Sequence, residues 1–162
     1  ETHGSPTRII ETVIAVNDAR KAAMVDKVLT ALGGSAADRR IVIFGVTFKP
    51  ETDDMRAAPS LTIVPGLIEA GASVVVCDPQ GRKEGEALLE GVIWAEDPYA
   101  AAEGADAIVI LTEWNMFRGL DLRRLRAGLK GDAMIDLRNV YEPEEAREAG
   151  FVYTAIGRAV RS

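Results

Sequence analysis

Apolar positions along the chain change their rhythm once, near residue 40. From Arg8 to Leu32 they recur at Ile9, Ile10, Val13, Val16, Met24, Val28, Leu29 and Leu32, close to the period of an amphipathic helix. Ser5 followed by Pro6 predicts an N-cap with proline in the first turn, and Gly33-Gly34 predicts the far end. The helix should run for about seven turns. A short polar connection, "SAADRR", follows it.

After Arg40, continuous apolar runs alternate with stretches of helical pattern. "RIVIFGV", "ASVVVCDP", "DAIVILTEW" and "AMIDLRN" read as buried strands, with "VIWAED" and "FVYTAIG" as shorter ones. Ser60 to Ala70, ended by Gly71, reads as a helix, as do "GRKEGEALLEG", "PYAAAEGA", "LDLRRLRAGL" and "EPEEAREAG". Wholly apolar strands separated by helices imply a parallel sheet covered on both faces. The expected fold is therefore α/β, a doubly wound Rossmann-like sheet of about six mostly parallel strands behind a long N-terminal helix. Residues 1–34 form the helical part and 39–162 the sheet domain. In such sheets ligands sit outside the carboxyl ends of the strands, which singles out loops 45–59, 78–82, 112–119 and 138–143.

Composition narrows the function classes. At 162 residues and 48% hydrophobic content the chain suits an ordinary soluble globular domain with one substantial core. A formal net charge of -6 argues against a general binder of nucleic-acid backbone, yet leaves room for a local basic pocket that holds one small anion. Cys77 is the only cysteine, so no intramolecular disulfide forms, which fits a reducing compartment. No apolar run reaches the roughly 20 residues needed to span a bilayer, and "ETHGSPTRII" lacks the pattern of a signal peptide. The expectation is a cytoplasmic protein with no membrane and no nucleic-acid partner. The chain starts with Glu, and its first helix has no partner upstream, which reads as a piece of something longer.

A dinucleotide-binding turn needs G-x-G-x-x-G, so that the backbone can approach a pyrophosphate at a helix N-terminus. Here the first strand runs into "GVTFKP", where Gly45 is present, Thr47 stands in place of the second glycine, and the loop is several residues too long. Asp78 ends the second strand as a ribose-binding acid would, but a full NAD site within the chain is not expected. Side-chain capture of a phosphate or sugar is the alternative: Lys49 as a point charge, Phe48 covering a base or ribose face, Arg56 binding an anion bidentately. The same loop also reads as a solvated one in which Lys49 and Arg56 pair with Glu51, Asp53 and Asp54. Arg138 and Asn139 follow a buried strand on the same rim, where the arginine either meets a ligand or pairs with Glu142. In "LTEWNMFR" the aromatics read more readily as a plug over the core or a subunit contact than as ligand binders.

Cys77 reads as a buried small apolar residue, and His3 has no nucleophile or metal-ligand partner at useful spacing. No Ser-His-Asp set, CxxC pair or HExxH occurs, so no complete catalytic machinery and no metal site is expected.

Four stretches, "FGVTFKPETDDMRAAPS", "VVVCDPQG", "LTEWNMFR" and "DLRNVY", closely resemble the C-terminal, UDP-binding domain of the UDP-glucose 6-dehydrogenases, and "AVNDARKAAMVDKV" resembles the last part of that family's central helix. The resemblance covers nearly the whole chain in the family's order. It implies NAD-dependent oxidation of UDP-glucose to UDP-glucuronate in two hydride transfers, through intermediates on one cysteine. It also implies an N-terminal NAD-binding domain as partner and a homodimer built on the helix. By resemblance, Phe48, Lys49 and Arg138 meet the UDP-sugar and Arg56 reaches towards NAD. Cys77 does not match the family's catalytic cysteine, which lies upstream in a "GCFPKD"-like stretch, so this chain alone should bind part of the substrate and not turn it over. The GDP-mannose and UDP-N-acetyl-hexosamine dehydrogenases share the architecture. Two other readings stay open: an assembly module working through the helix and the "EWNMF" loop, and a free-standing nucleotide-binding regulator, against which the missing glycine cradle argues.

Overall fold

The computed structural model describes residues 5–157, so His3 lies outside the described residues. Thirteen elements follow in order: α1 (Ser5–Ala31), β1 (Arg40–Phe44), α2 (Ser60–Glu69), β2 (Ser73–Cys77), α3 (Arg82–Leu88), β3 (Ile93–Ala95), α4 (Pro98–Ala102), β4 (Ala107–Ile110), α5 (Asn115–Arg118), α6 (Leu122–Gly128), β5 (Ala133–Asp136), α7 (Pro143–Glu148) and β6 (Val152–Ala155). The six strands form one sheet in the order β3-β2-β1-β4-β5-β6. Every pairing is parallel, and the chain reverses its direction of travel across the sheet between β1 and β4. The doubly wound expectation holds, with parallel pairing throughout.

Register explains why the important loops meet. Cys77 pairs with Phe44, Phe44 with Ile110, Ile110 with Asp136, and Asp136 with Ala155. These residues form one straight row, and the segments that leave the carboxyl ends of five strands share a single rim. Gly45, at the exit of β1, adopts φ +81, and a Cβ there would lie 2.4 Å from the Cβ of Thr112 at the exit of β4. Only glycine lets these two exits come so close.

Alternation along the strands divides the core between the two faces. Val42, Phe44, Val75, Ile108, Ile110 and Met134 pack under α4 to α7, and Ile41, Ile43, Val74, Val76, Val109 and Ile135 pack under α2 and the second half of α1. Phe117 of α5 stacks on Phe44 with ring centroids 4.8 Å apart and planes 8° from parallel. Such a pair contributes about 1 kcal/mol beyond its buried area. The aromatics of "EWNMF" are thus a plug: Trp114 and Phe117 are buried, and only Met116 among its apolar residues reaches the surface. Both aromatics of the loop are therefore spent inside the core.

Helix α1 behaves as two halves. Val28 is fully buried, Met24, Val25 and Leu29 pack around it, and a Cβ on Gly66 of α2 would lie 3.0 Å from a Val25 methyl. Lys27 donates to the carbonyl of Ala155 at 2.6 Å, tying the helix to the end of β6. The second half of α1 therefore belongs to the same core as the sheet. The first half runs on past it, since 27 residues span about 40 Å. Ile9, Ile10, Val13, Ile14 and Val16 are each more than half exposed there.

Candidate functional site

Two buried carboxylates shape the rim. Asp78, which follows β2, turns inward: its Oδ2 accepts from the amides of Val46 (2.7 Å) and Thr47 (3.3 Å) and from the indole Nε1 of Trp114 (3.3 Å). Its Oδ1 accepts from the amides of Gln80 (2.9 Å) and Gly81 (2.6 Å). A dinucleotide fold offers amides after its first strand to a pyrophosphate. Here a side-chain carboxylate already receives them, and Thr47 occupies the place where a second glycine would leave room. The residues at this turn do not fit the pyrophosphate of NAD, so no step of the chemistry is assigned to a dinucleotide held there. Asp78 is not available as a ribose ligand either.

Asp136, fully buried at the end of β5, performs the same task on the other side of β4. It accepts from the amides of Arg138 (3.1 Å) and Tyr141 (3.0 Å) and from the hydroxyl of Tyr153 (2.8 Å). Tyr141 in turn donates its hydroxyl to the carbonyl of Phe117. Burial, first, and then the charge of Asp136 raise the Tyr141 pKa, which keeps that phenol a donor. The turn so fixed includes Asn139 at φ +53, a left-handed conformation that asparagine tolerates better than most residues.

The first loop is then laced to its neighbours. Ser60 donates to the carbonyl of Val46 (2.5 Å), Thr112 to that of Thr47 (2.8 Å), and the amide of Phe48 to the carbonyl of Asp54 (2.8 Å). Arg138 completes the lacing. Its Nε donates to the Leu111 carbonyl at 2.7 Å and its Nη2 to the Phe48 carbonyl at 3.2 Å. Glu113 Oε2 sits 3.4 Å from its Nε as an ion-pair partner, with no hydrogen bond to that oxygen among the described residues. Loops from β1, β4 and β5 thus converge on one guanidinium.

These contacts build a cleft of about 650 Å³ over the carboxyl ends of β1, β4, β5 and β6. One wall is the α1 face that carries Arg20, Ala23, Met24 and Lys27. The other is the first loop, with Phe48, Lys49 and Pro59, and the floor consists of Leu111, Leu137, Arg138 and Ile156. Phe48 is 46% exposed, unusual for a phenylalanine that has a core beside it to enter. Among the described residues, four cations and no carboxylate line the cleft, although the chain as a whole carries a net charge of -6. Such a site suits an anionic ligand with a flat or apolar part.

Of the four candidate site residues, Phe48, Lys49 and Arg138 meet in this cleft. Arg56 does not. It lies on the far side of the same loop, where its Nε and Nη2 bind the two oxygens of Asp54 at 3.0 Å each. The Arg56 guanidinium beside it holds the Asp54 carboxyl at about 2, below the usual carboxylate range. The hollow next to Arg56 also contains Asp53 and Glu84. Sequence reasoning missed Arg20 and Lys27; their seven-residue separation, with Ala23 and Met24 between them, places all four on one helical face and was the available signal. Cys77 is buried, and burial pushes its thiol up to about 12, so it is no nucleophile.

Residues 42–143 match the model of the UDP-glucose/GDP-mannose dehydrogenase family, UDP binding domain. The chain belongs to that family. It is 48% identical over 98% of its length to a UDP-glucose 6-dehydrogenase of Rhizobium meliloti (strain 1021), of which it spans 36%. Among solved structures, a UDP-glucose dehydrogenase from Pyrobaculum islandicum superposes with a TM-score of 0.74 at 29% identity, covering 92% of this chain and 32% of that one. A UDP-D-ManNAc dehydrogenase from Pyrococcus horikoshii gives 0.67 at 26% identity, covering 87% and 31%. The chain thus spans about a third of the length of these family members. Among the described residues, no helix is long and apolar enough to cross a membrane, and no group of three or more His, Cys, Asp or Glu is placed to hold a metal ion.

Two measurements test the geometry. Asp78→Asn points an amide nitrogen at backbone donors, so urea unfolding should show a loss of about 3 kcal/mol, with a change in Trp114 fluorescence. Unchanged stability would mean that the carboxylate does not hold the rim. The folded pKa of Asp54 is depressed, so its pairing stabilises the fold at neutral pH and that contribution disappears as pH falls through about 2. Carbon NMR of the Asp54 carboxyl should titrate near that value and return to the ordinary carboxylate range in Arg56→Gln. An unshifted carboxyl in the unsubstituted chain would show that the pair is not formed.

Proposed function

We propose that this chain is the UDP-sugar-holding domain of an NAD-dependent UDP-glucose 6-dehydrogenase, the enzyme that oxidises UDP-glucose to UDP-glucuronate in two hydride transfers. The observation that carries this reading is the cleft: among the described residues, four cations and no carboxylate around a largely apolar floor, on an otherwise acidic chain, at the rim where this topology binds ligands. The self-filled turn after β1 supports a division of labour in which the nucleotide sugar is held here and NAD elsewhere in the enzyme.

In this reading Lys49 neutralises phosphate, Phe48 covers the flat or apolar part of the ligand, and Arg138 presents its remaining N–H groups while fixing the loop that carries the other two. Holding the substrate in one orientation lowers the entropic part of the barrier, which is what this chain would supply to the reaction. Arg56, on the opposite side of the loop, is assigned to the NAD side of the interdomain cleft, where a cofactor phosphate would have to compete with Asp54. The nucleophile and the groups that move protons and hydride are assigned to the rest of the enzyme, and the isolated chain is expected to be inactive. Uridine is preferred to guanosine because of the 48% identical UDP-glucose 6-dehydrogenase.

Calorimetric titration of the whole chain with UDP, UDP-glucose, GDP and NAD tests the reading. UDP and UDP-glucose should bind and NAD should not, and Lys49→Ala and Arg138→Ala should each weaken UDP about tenfold or more. A folded chain that ignores UDP, or binds NAD equally well, would overturn it.

A second role rests on the exposed apolar residues of the first half of α1. Five Ile and Val side chains within eight residues are too many to leave in water without a partner, and a copy of the same helix in a homodimer would cover them. Light scattering should give a dimer, and Ile10→Glu with Val13→Glu should give a monomer. A wild-type monomer at high concentration would remove this role.

A further inference from the structure

The four cations of the cleft are not equivalent. Lys27 is committed to the Ala155 carbonyl at 2.6 Å. Arg138 is committed to the Leu111 and Phe48 carbonyls and lies beside Glu113. The ammonium of Lys49 and the guanidinium of Arg20 make no hydrogen bond or ion pair among the described residues, and they stand on opposite walls, one on the first loop and one on α1. Two positive groups without a hydrogen-bond partner, above a floor that is apolar apart from Arg138, suit a ligand with more than one oxyanion group.

The sequence around Arg20 shows why it stays free. On a helix, side chains three and four positions apart are neighbours. Those neighbours of Arg20 are Val16, Asn17, Ala23 and Met24, none of them acidic. The adjacent Lys21 differs: Asp18 stands three residues before it, and the two ion-pair at 3.9 Å. Arg20 therefore reaches the cleft with its charge unspent. One turn further along, Ala23 leaves open space beside it, and Met24 supplies an apolar surface.

Helix geometry also sets where along the ligand Arg20 would act. Lys27 pins the helix to the end of β6, and seven residues separate it from Arg20, so Arg20 lines the cleft about 10 Å along the helix axis from that anchor. Phe48 and Lys49 stand across from it. A planar guanidinium there is built for bidentate contact with a phosphate, and a compact ammonium opposite would take the remaining charge.

Resting on the UDP-sugar reading above, we infer that Arg20 is a further ligand-binding residue: it grips the diphosphate from the helix wall, opposite Lys49. Helix α1 is thereby part of the nucleotide site as well as an element of the core.

The test is calorimetry on the whole chain with UDP and with uridine, for the unsubstituted protein, Arg20→Gln and Arg20→Lys, with circular dichroism to check the fold. Arg20→Gln should weaken UDP about tenfold, leave uridine unchanged, and flatten the salt dependence of UDP binding. Arg20→Lys should fall between the two, keeping the charge and losing the bidentate contact. If Arg20→Gln binds UDP as the unsubstituted chain does, the inference fails while the UDP reading stands. If UDP and uridine weaken equally, Arg20 does not read the phosphates and the inference fails. If the unsubstituted chain does not bind UDP at all, both fall together.

Discussion

Everything at the rim depends on the carboxylate of Asp78. A buried charge is costly unless its oxygens are hydrogen-bonded, and here both are: six donors, four of them backbone amides, converge on it. The donors come from the exits of β1, β2 and β4, so one side chain fixes three chain segments relative to each other. The close approach at Gly45, the inward Trp114 and the path of the first loop all follow. Gly81 belongs to the same arrangement, since a Cβ there would lie 2.9 Å from a Thr47 methyl and 3.0 Å from the carboxylate itself.

Asp136 repeats the device one strand beyond β4, and Arg138 joins the two halves. The aspartate holds the arginine's amide, while the arginine's side chain reaches back to carbonyls on the β4 and β1 loops. Carboxylates gather amides and a guanidinium gathers carbonyls, so the polar backbone of an irregular rim finds partners without regular secondary structure. A cleft with preset walls results, and a ligand entering it need not order the loops first.

Much of this was legible in the sequence, for reasons that can be named. Apolar runs such as "IVIF" and "VVVC" read as buried strands once helices separate them, and parallel register then brings Phe48, Lys49 and Arg138 to one edge. What was not legible depends on contacts between distant residues. Asp78 and Val46 are 32 positions apart, and nothing in "CDPQG" says whether the acid faces a ligand or its own backbone. Likewise the helical pattern of α1 predicted which residues could be apolar, but not that its second half would pack beside β6 and bring Arg20 and Lys27 over the rim. That Lys49 and Arg56 serve different sides of their loop was suggested by resemblance alone; in the structure they line separate hollows, with Glu51 at φ +61 between them.

The spent cradle has a consequence for how such a domain changes over time. Backbone amides are the same in every residue, so a site made of them resists retuning: exchanging a side chain leaves the donors where they were. This chain gives its amides to its own aspartate and faces the cleft with side chains instead. Each point of contact is then open to replacement one codon at a time, above a scaffold that no such replacement need disturb.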